Sequence, residues 1–186
     1  MSLYNTKTRF GLVSKLLHWL IALGIIGLIG LGWWMVGLSY YDPWYNASLE
    51  LHKAFGMIVL LLVFAKFCWQ IANRPPGPGA SLKPWERKAS HAMHWVLYVL
   101  MVAVPVTGYM ITTAAGQGVS VFGLFEVPAI FPQSETAREL ATDIHYYFSY
   151  GAIALILGHA GAALKHHFVD KDDTLIRMTW GKLTGR

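Results

Sequence analysis

Four long apolar blocks constrain this chain more than any other feature of its sequence. They occupy residues 15–38, 49–71, 91–113 and 142–165, and each reaches the roughly 20 residues that a helix needs to cross a bilayer. Lipid offers no hydrogen-bond partners, so each block must satisfy its own backbone polar groups, which an α-helix does. We therefore predict an all-α integral membrane four-helix bundle, with residues 1–186 forming a single membrane domain.

The composition agrees with a membrane location. Hydrophobic residues make up 55% of the chain and charged residues 13%, whereas soluble domains carry about 25% charged residues. The first block follows basic residues, as a signal peptide would. It is longer than a signal sequence core, however, and no small-residue cleavage site follows it. We predict that this block is retained, so that the protein is multi-pass.

The basic residues are distributed unevenly around the four blocks. Thirteen of the fifteen Lys and Arg residues fall on the side that carries both termini, and the other two are Lys53 and Arg138. The side with these two bases has six acids: Asp42, Glu50, Glu126, Glu135, Glu139 and Asp143. The positive-inside rule therefore predicts that both termini are cytoplasmic. This topology explains the net charge of +5 without a nucleic-acid partner.

The segments outside the blocks carry weaker signals. Residues 74–79 are rich in proline and glycine, which favours a turn in the second connection. The third connection, residues 114–141, is the longest and is predicted to pack over one end of the bundle. Beyond the last block, the charged run 170–173 is predicted to be a solvated cap.

Five histidines fall within or at the ends of the predicted spans: His18, His52, His94, His145 and His159. Ionisable side chains inside a membrane are costly and usually face the bundle interior for a functional reason. A single one can instead serve as an interhelical hydrogen bond. His145 and His159 are 14 residues apart, which places them on one helix face about 21 Å apart. The fourth span is therefore expected to present imidazoles at two depths.

Depth along the spans gives each of these two histidines a partner. His52 begins the second span on the same side as His145, and no other histidine reaches that depth. His159 lies toward the opposite side, where His18 on the first span and His94 on the third both qualify. Geometry read from the sequence leaves that second choice open.

Two facing imidazoles are a suitable ligand set for haem iron. The porphyrin supplies four nitrogens, so that two axial histidines complete the coordination. Zinc and copper sites usually gather three or four side-chain ligands, often with carboxylate or thiolate, which these depths do not offer. We therefore predict two b-type haems. Small residues near the ligands would let a flat macrocycle approach, although they suit close helix packing equally well; they are Gly56, Gly151, Gly158, Ala160 and Gly161.

Several segments of the chain resemble the prokaryotic cytochrome b561 family. The matching segments are residues 15–19 (KLLHW), 51–56 (LHKAFG), 91–94 (HAMH), 105–108 (PVTG) and 158–178, of which the last is the most specific. The resemblance implies a protein of the bacterial inner membrane. It implies that His18 and His159 bind a cytoplasmic-side haem, and that His52 and His145 bind a periplasmic-side haem.

The resemblance also implies an oxidoreductase activity. A superoxide-oxidising member of the family passes electrons from periplasmic superoxide to ubiquinone, and His94 and His166 match positions associated with its quinone site. Imidazoles can hydrogen-bond a quinone head group and supply protons, because histidine titrates near neutrality. The expected donor is therefore superoxide, and the expected acceptor is the quinone pool.

The charge of the periplasmic side departs from that expectation. A surface with six acids and two bases should slow an anionic substrate. Lys53, beside His52, is a candidate contact for the substrate or for a haem propionate, or else an interfacial lysine that reaches toward water. A small periplasmic electron-transfer protein with a basic face would suit the acidic surface. The alternatives are thus a haem-bearing membrane anchor that serves a periplasmic partner protein and, without haem, a transporter or scaffold.

Overall fold

Four long helices dominate the computed structural model, which describes residues 2–78 and 82–181. The helices are α1 (Leu12–Met35), α2 (Tyr45–Ala72), α3 (Pro84–Thr113) and α4 (Glu135–Phe168), followed by a short α5 (Thr174–Met178). Each of the first four is long and apolar enough to cross a membrane. The predicted four-helix membrane fold is therefore confirmed.

Two helices begin seven residues before the spans predicted for them. α3 starts at Pro84, and proline is favoured in the first turn of a helix because its missing N–H is not needed there. α4 starts after Ser134, whose hydroxyl accepts a hydrogen bond from the Ala137 amide at 3.3 Å. These capping signals lie outside the apolar blocks, so hydropathy alone misses them.

Three residues used in the sequence arguments lie outside the described residues: Gly79, Lys182 and Arg186.

The helices do not pack equally against one another. α1 packs along α2, α3 packs along α4, and α2 joins the two pairs by contacting α3. A buried cluster of Ile21, Val59 and Val63 lies between α1 and α2. α4 buries the fewest residues of the four, Ala141 and Ala152, although it packs along α3.

We call the end of the bundle where α1 and α3 finish the hairpin end, and the opposite end the termini end. The hairpin end carries two antiparallel strands, β1 (Val119–Val121) and β2 (Phe125–Val127). Phe122 and Gly123, with φ of 53° and 71°, lie in the three-residue connection 122–124, where the Leu124 amide donates a hydrogen bond to the Val121 carbonyl at 3.0 Å. β1 packs against α2, so this connection covers one end of the bundle. The expectation of an all-α chain did not include these strands.

The C-terminal segment folds back against α1 at the termini end. Trp19 Nε1 donates a hydrogen bond to the Met178 carbonyl at 3.0 Å. The buried ammonium of Lys15 donates to the Thr179 carbonyl. The segment after α4 is therefore part of the folded bundle.

Candidate functional site

Two predicted ligands face each other near the hairpin end. His52 of α2 and His145 of α4 have ring centroids 6.2 Å apart, with the rings inclined at 77°. A first-row metal binds an imidazole nitrogen at about 2.0 Å, so two imidazoles on opposite sides of one metal have centroids roughly 6 Å apart. Both side chains are half-buried. The spacing fits one iron between two axial imidazoles.

A hydrogen bond from one ring nitrogen orients His145. Its Nδ1 lies 2.9 Å from the Val104 carbonyl oxygen in α3 and 3.4 Å from Thr107 Oγ1. A proton on Nδ1 that is donated to this carbonyl leaves Nε2 free as a ligand, an arrangement common in metal-binding histidines. Nδ1 of His52 is buried and has no hydrogen-bond partner among the described residues.

Two glycines on neighbouring helices make room for these imidazoles. An added Cβ at Gly108 would lie 3.0 Å from His145 Cε1, and one at Gly32 would lie 3.2 Å from His52 Cε1. Both distances are tighter than ordinary carbon contacts, so a larger residue would press on the ring. Sequence reasoning did not assign this role to either glycine, because it depends on which helix faces which imidazole.

The glycines that the sequence analysis placed near the haem ligands differ in how much space surrounds them. An added Cβ at Gly56, Gly151 or Gly161 would meet no atom within 4 Å, whereas one at Gly158 would lie 3.6 Å from Met93 Cε. Gly56 is half-buried, and it lies one turn from His52. Space beside the Gly56 backbone suits a flat group, while Gly158 is used for helix packing.

Near the termini end, His159 of α4 faces two histidines. Its ring centroid lies 6.3 Å from that of His18 in α1 and 5.3 Å from that of His94 in α3. The first distance fits two ligands on opposite sides of one metal, and the second is shorter than that arrangement requires. The geometry favours His18 as the partner of His159.

His94 differs from the four paired histidines because it is exposed, whereas they are half-buried. Its Nδ1 lies 3.3 Å from Ser90 Oγ, one turn earlier on α3. An exposed imidazole beside His159 is open to a ligand that enters from the bilayer.

Each ligand pair joins helices that are not among the closely packed pairs. His52 and His145 join α2 to α4, and His18 and His159 join α1 to α4. The closest packing instead involves α1 with α2, α3 with α4, and α2 with α3. A haem at either level would lie between loosely packed helices. The residues present therefore fit the group at both levels.

His166 lies in a charged cluster at the termini end. Its Nδ1 is 2.9 Å from a carboxylate oxygen of Asp170 and 3.1 Å from one of Asp172, and its side chain is 12% exposed. The Asp172 amide donates to the His166 carbonyl at 3.0 Å, which folds the charged run back onto α4. Asp172 is consequently only 4% exposed, so the prediction of a solvated cap was wrong for this residue. Within the described residues, no ring contact joins His166 to His94.

The same cluster brings one ligand atom each of Glu86, His166 and Asp170 within 4.8 Å of one another, as a metal site would. The Lys165 ammonium lies 2.9 Å from Glu86 and 2.6 Å from Asp170. It already neutralises these carboxylates and would repel a second cation. The group is better described as a salt-bridge network that links α3, α4 and the tail.

Both bases of the hairpin end are paired with acids on their own helices. Lys53 forms a salt bridge with Glu50 at 2.5 Å, and Arg138 forms one with Glu135. The Lys53 side chain is only 16% exposed, so this candidate substrate contact has its charge already paired. Four acids at this end make no salt bridge within the described part of the chain: Asp42, Glu126, Glu139 and Asp143.

Comparison with known proteins agrees with this arrangement. The family model described as "Prokaryotic cytochrome b561" matches residues 9–181. The chain is 43% identical over 178 residues to "Cytochrome b561 homolog 2" of Escherichia coli (strain K12), covering 96% of this chain and 95% of that protein. It is 32% identical over 176 residues to "Cytochrome b561 homolog 1" of the same strain, covering 91% and 96% respectively.

A further relative carries a more specific name. "Probable superoxide oxidase CybB" of Yersinia pestis is 32% identical over 174 residues, which cover 87% of this chain and 90% of that protein. The matches extend over nearly the full chain, and the bundle to which they apply places facing histidines at two levels. The chain therefore belongs to the prokaryotic cytochrome b561 family, which transfers electrons in membranes with b-type haem.

Proposed function

We propose that this protein is a dihaem cytochrome that passes electrons between a donor at the hairpin end and quinone at the termini end. The presence of two facing imidazole pairs, one toward each end of the bundle, carries this proposal. Haem supplies one-electron redox chemistry when bound. His52 and His145 would hold one haem, and His18 and His159 the other. The positive-inside rule places the hairpin end in the periplasm.

Superoxide is the proposed donor and ubiquinone the proposed acceptor. Two superoxide anions lose one electron each and become O₂, and the quinone takes up both electrons with two protons to form the quinol. A relative named as a probable superoxide oxidase supports this assignment of the donor. At the termini end, exposed His94 can meet a quinone from the bilayer, while His166 beside Asp170 and Asp172 can exchange protons with the cytoplasm.

Single replacement of each ligand tests the two-pair arrangement. His52→Ala and His145→Ala should each lower the haem content from two per chain to one, because an iron that loses one axial imidazole is held weakly. His18→Ala and His159→Ala should remove the other haem. Haem and protein are quantified in the purified variants. The absorbance spectrum of the reduced haem that remains should be the same within each pair of variants and differ between the two pairs. His91→Ala, which changes an exposed histidine on α3, is the control and should retain both haems. Two retained haems in His52→Ala would contradict the pairing.

The donor is tested with purified protein in lipid nanodiscs that contain ubiquinone. A superoxide source is added, and quinol formation is followed by absorbance. The intact protein should form quinol faster than His145→Ala, which keeps the other ligand pair but loses the proposed entry site. Equal rates for the two proteins would reject superoxide as the donor.

The charge of the hairpin end favours a second candidate function, that of a haem-bearing anchor for a periplasmic partner protein. Within the described ranges, four acids there lack a salt bridge, and both bases of this end are paired with other acids. A basic protein would be attracted to such a surface, whereas superoxide would be repelled. This candidate predicts co-purification of a redox partner from membranes and no quinone reduction by the isolated chain.

A further inference from the structure

Lys66 is a buried cation in the last two turns of α2, at the depth of one proposed haem. It stands six residues before the end of α2 at Ala72, and His18 stands six residues after the start of α1 at Leu12. At 1.5 Å per residue, both lie about 9 Å from the same end of the bundle. Lys66 is only 9% exposed, although long lysine side chains near helix ends usually reach water.

The described residues give Lys66 no anionic partner. It makes no salt bridge and no hydrogen bond there, and its Nζ lies over the Tyr98 ring, 5.8 Å from the ring centroid. Two other lysines at this end of the bundle have partners. Lys15 donates a hydrogen bond to the Thr179 carbonyl, and Lys165 forms salt bridges with carboxylates. An unpaired buried ammonium costs several kcal/mol, so a partner is expected.

The surroundings of Lys66 limit what that partner can be. A cavity of about 10 Å³ beside it has room for about one water molecule, and its lining includes Ser14, Trp69 and Gln70. The lining contains no carboxylate. Lys66 is also close enough to His18 and His94 to interact electrostatically with their imidazoles. An anion bound near His18 would therefore meet the ammonium.

Haem carries two propionate carboxylates at one edge of the ring. We propose that Lys66 binds a propionate of the haem held by His18 and His159, and so positions that haem and raises its reduction potential. A nearby cation favours the reduced haem because it stabilises the added electron. This inference rests on the proposed function, since it requires a haem at that pair.

The test measures the midpoint potential of this haem in protein that contains no quinone. His52→Ala serves as the background, because only the haem of His18 and His159 should remain there. In that background Lys66→Gln should lower the midpoint potential, and Lys66→Arg should keep it near the starting value. Lys88→Gln removes the same charge from an exposed position of the same end and should leave the potential unchanged. An unchanged potential in Lys66→Gln would overturn the proposal.

A second measurement does not depend on the folding of Lys66→Gln. Protein with unaltered Lys66 is loaded with haem whose propionates are esterified, and its potential and rate of haem loss are compared with those for ordinary haem. Esterification should speed haem loss from the Lys66 protein and from Lys66→Arg, which keeps the cation, and should have a smaller effect in Lys66→Met. Equal effects in all three proteins would overturn the proposal.

Two further outcomes separate the possible causes of failure. If Lys66→Gln changes only the apparent quinone affinity and leaves the potential unchanged, the anion is quinone-derived and the propionate assignment is wrong. If the unsubstituted chain binds fewer than two haems, the proposed function itself fails. If it binds two and neither the potential nor haem loss responds to Lys66, only this inference fails.

Discussion

Single atoms beside the imidazoles decide how tightly each ring is held. Gly32 of α1 and Gly108 of α3 each lie against one histidine ring of the hairpin-end pair, at distances where a Cβ would displace it. The Val104 carbonyl oxygen lies 2.9 Å from Nδ1 of the His145 ring and orients it. The ligand geometry therefore depends on residues from helices that supply no ligand at this level.

Gly32→Val tests this dependence against Gly30→Val on the same helix. A side chain at position 32 would push the His52 ring, whereas an added Cβ at Gly30 would meet no atom within 4 Å. Gly32→Val should weaken haem binding at the His52–His145 pair by about 10-fold or more, as changes next to metal ligands commonly do. Haem content after dilution and re-purification gives the measure. Similar losses in both variants would show that helix propensity, not the contact with His52, is responsible.

At the scale of secondary structure, close approach holds α1 against α2 independently of any cofactor. An added Cβ at Gly24 would lie 2.7 Å from Val59 Cγ2, within the buried cluster of these helices. Because Val59 is β-branched and cannot rotate away easily, Gly24→Ala should lower the free energy of unfolding by about 1–3 kcal/mol. Gly27→Ala, where the added Cβ meets no atom within 4 Å, should raise it by up to about 1 kcal/mol, because alanine favours the helix interior over glycine. Unfolding in mixed micelles measures both, and equal effects would contradict the packing argument.

One branched cation, Arg177, links the C-terminal segment to two other parts of the termini end. The Arg177 guanidinium donates to the Thr8 carbonyl at 2.9 Å and to the Gly77 carbonyl at 2.7 Å. Arg177→Gln should lower the free energy of unfolding by about 1–3 kcal/mol, because hydrogen bonds from charged donors are stronger than neutral ones. Arg177→Lys keeps the charge but loses the forked guanidinium that reaches two carbonyls. Its free energy of unfolding should lie between those of the intact protein and Arg177→Gln. A fully stable Arg177→Gln would show that other tail contacts suffice.

At the scale of the whole molecule, charge separates the two ends of the bundle. The basic residues cluster at the termini end, while the hairpin end has four acids that form no salt bridge with any residue that the structure describes. This asymmetry carries the proposed orientation, and it also bears on the choice of donor. Both consequences can be measured without altering the ligands.

Cysteine labelling in intact cells tests the orientation. In a Cys68→Ser background, Glu126→Cys at the exposed hairpin should react with a membrane-impermeant maleimide added outside the inner membrane. Lys7→Cys, exposed at the termini end, should react only after the membrane is broken. The reverse pattern would invert the topology and exchange the roles of the two ligand pairs.

Ionic strength distinguishes the two kinds of donor. Salt screens repulsion between superoxide and the acids of the hairpin end, so haem reduction by superoxide should speed up as salt rises through about 0.1 M. Reduction by a basic probe protein such as ferrous cytochrome c should slow down over the same range. Glu126→Gln should shift both rates in the direction that salt does, whereas Lys88→Gln at the other end should shift neither. If the rate of haem reduction by superoxide fell as salt rose, a local positive site would be attracting the anion.

The sequence by itself determined the membrane fold and the depths of the histidines. A bilayer requires each crossing segment to satisfy its own backbone, so span number and depth can be read locally, one segment at a time. His145 and His159 shared a face of α4 for the same reason, because helix periodicity is local. The β-hairpin was missed because its short strands depend on burial against α2.

Only the tertiary structure decided how the helices are rotated toward one another. It separated His18 from His94 as neighbours of His159 and set Gly32 and Gly108 against the rings. It also paired Lys53 with Glu50 and, among residues 2–78 and 82–181, gave Lys66 no anionic partner. Lipid is as apolar as the interior of the bundle, so hydropathy does not tell which face of a span points inward. Rotation follows from side-chain packing between helices distant in sequence, which no single segment encodes.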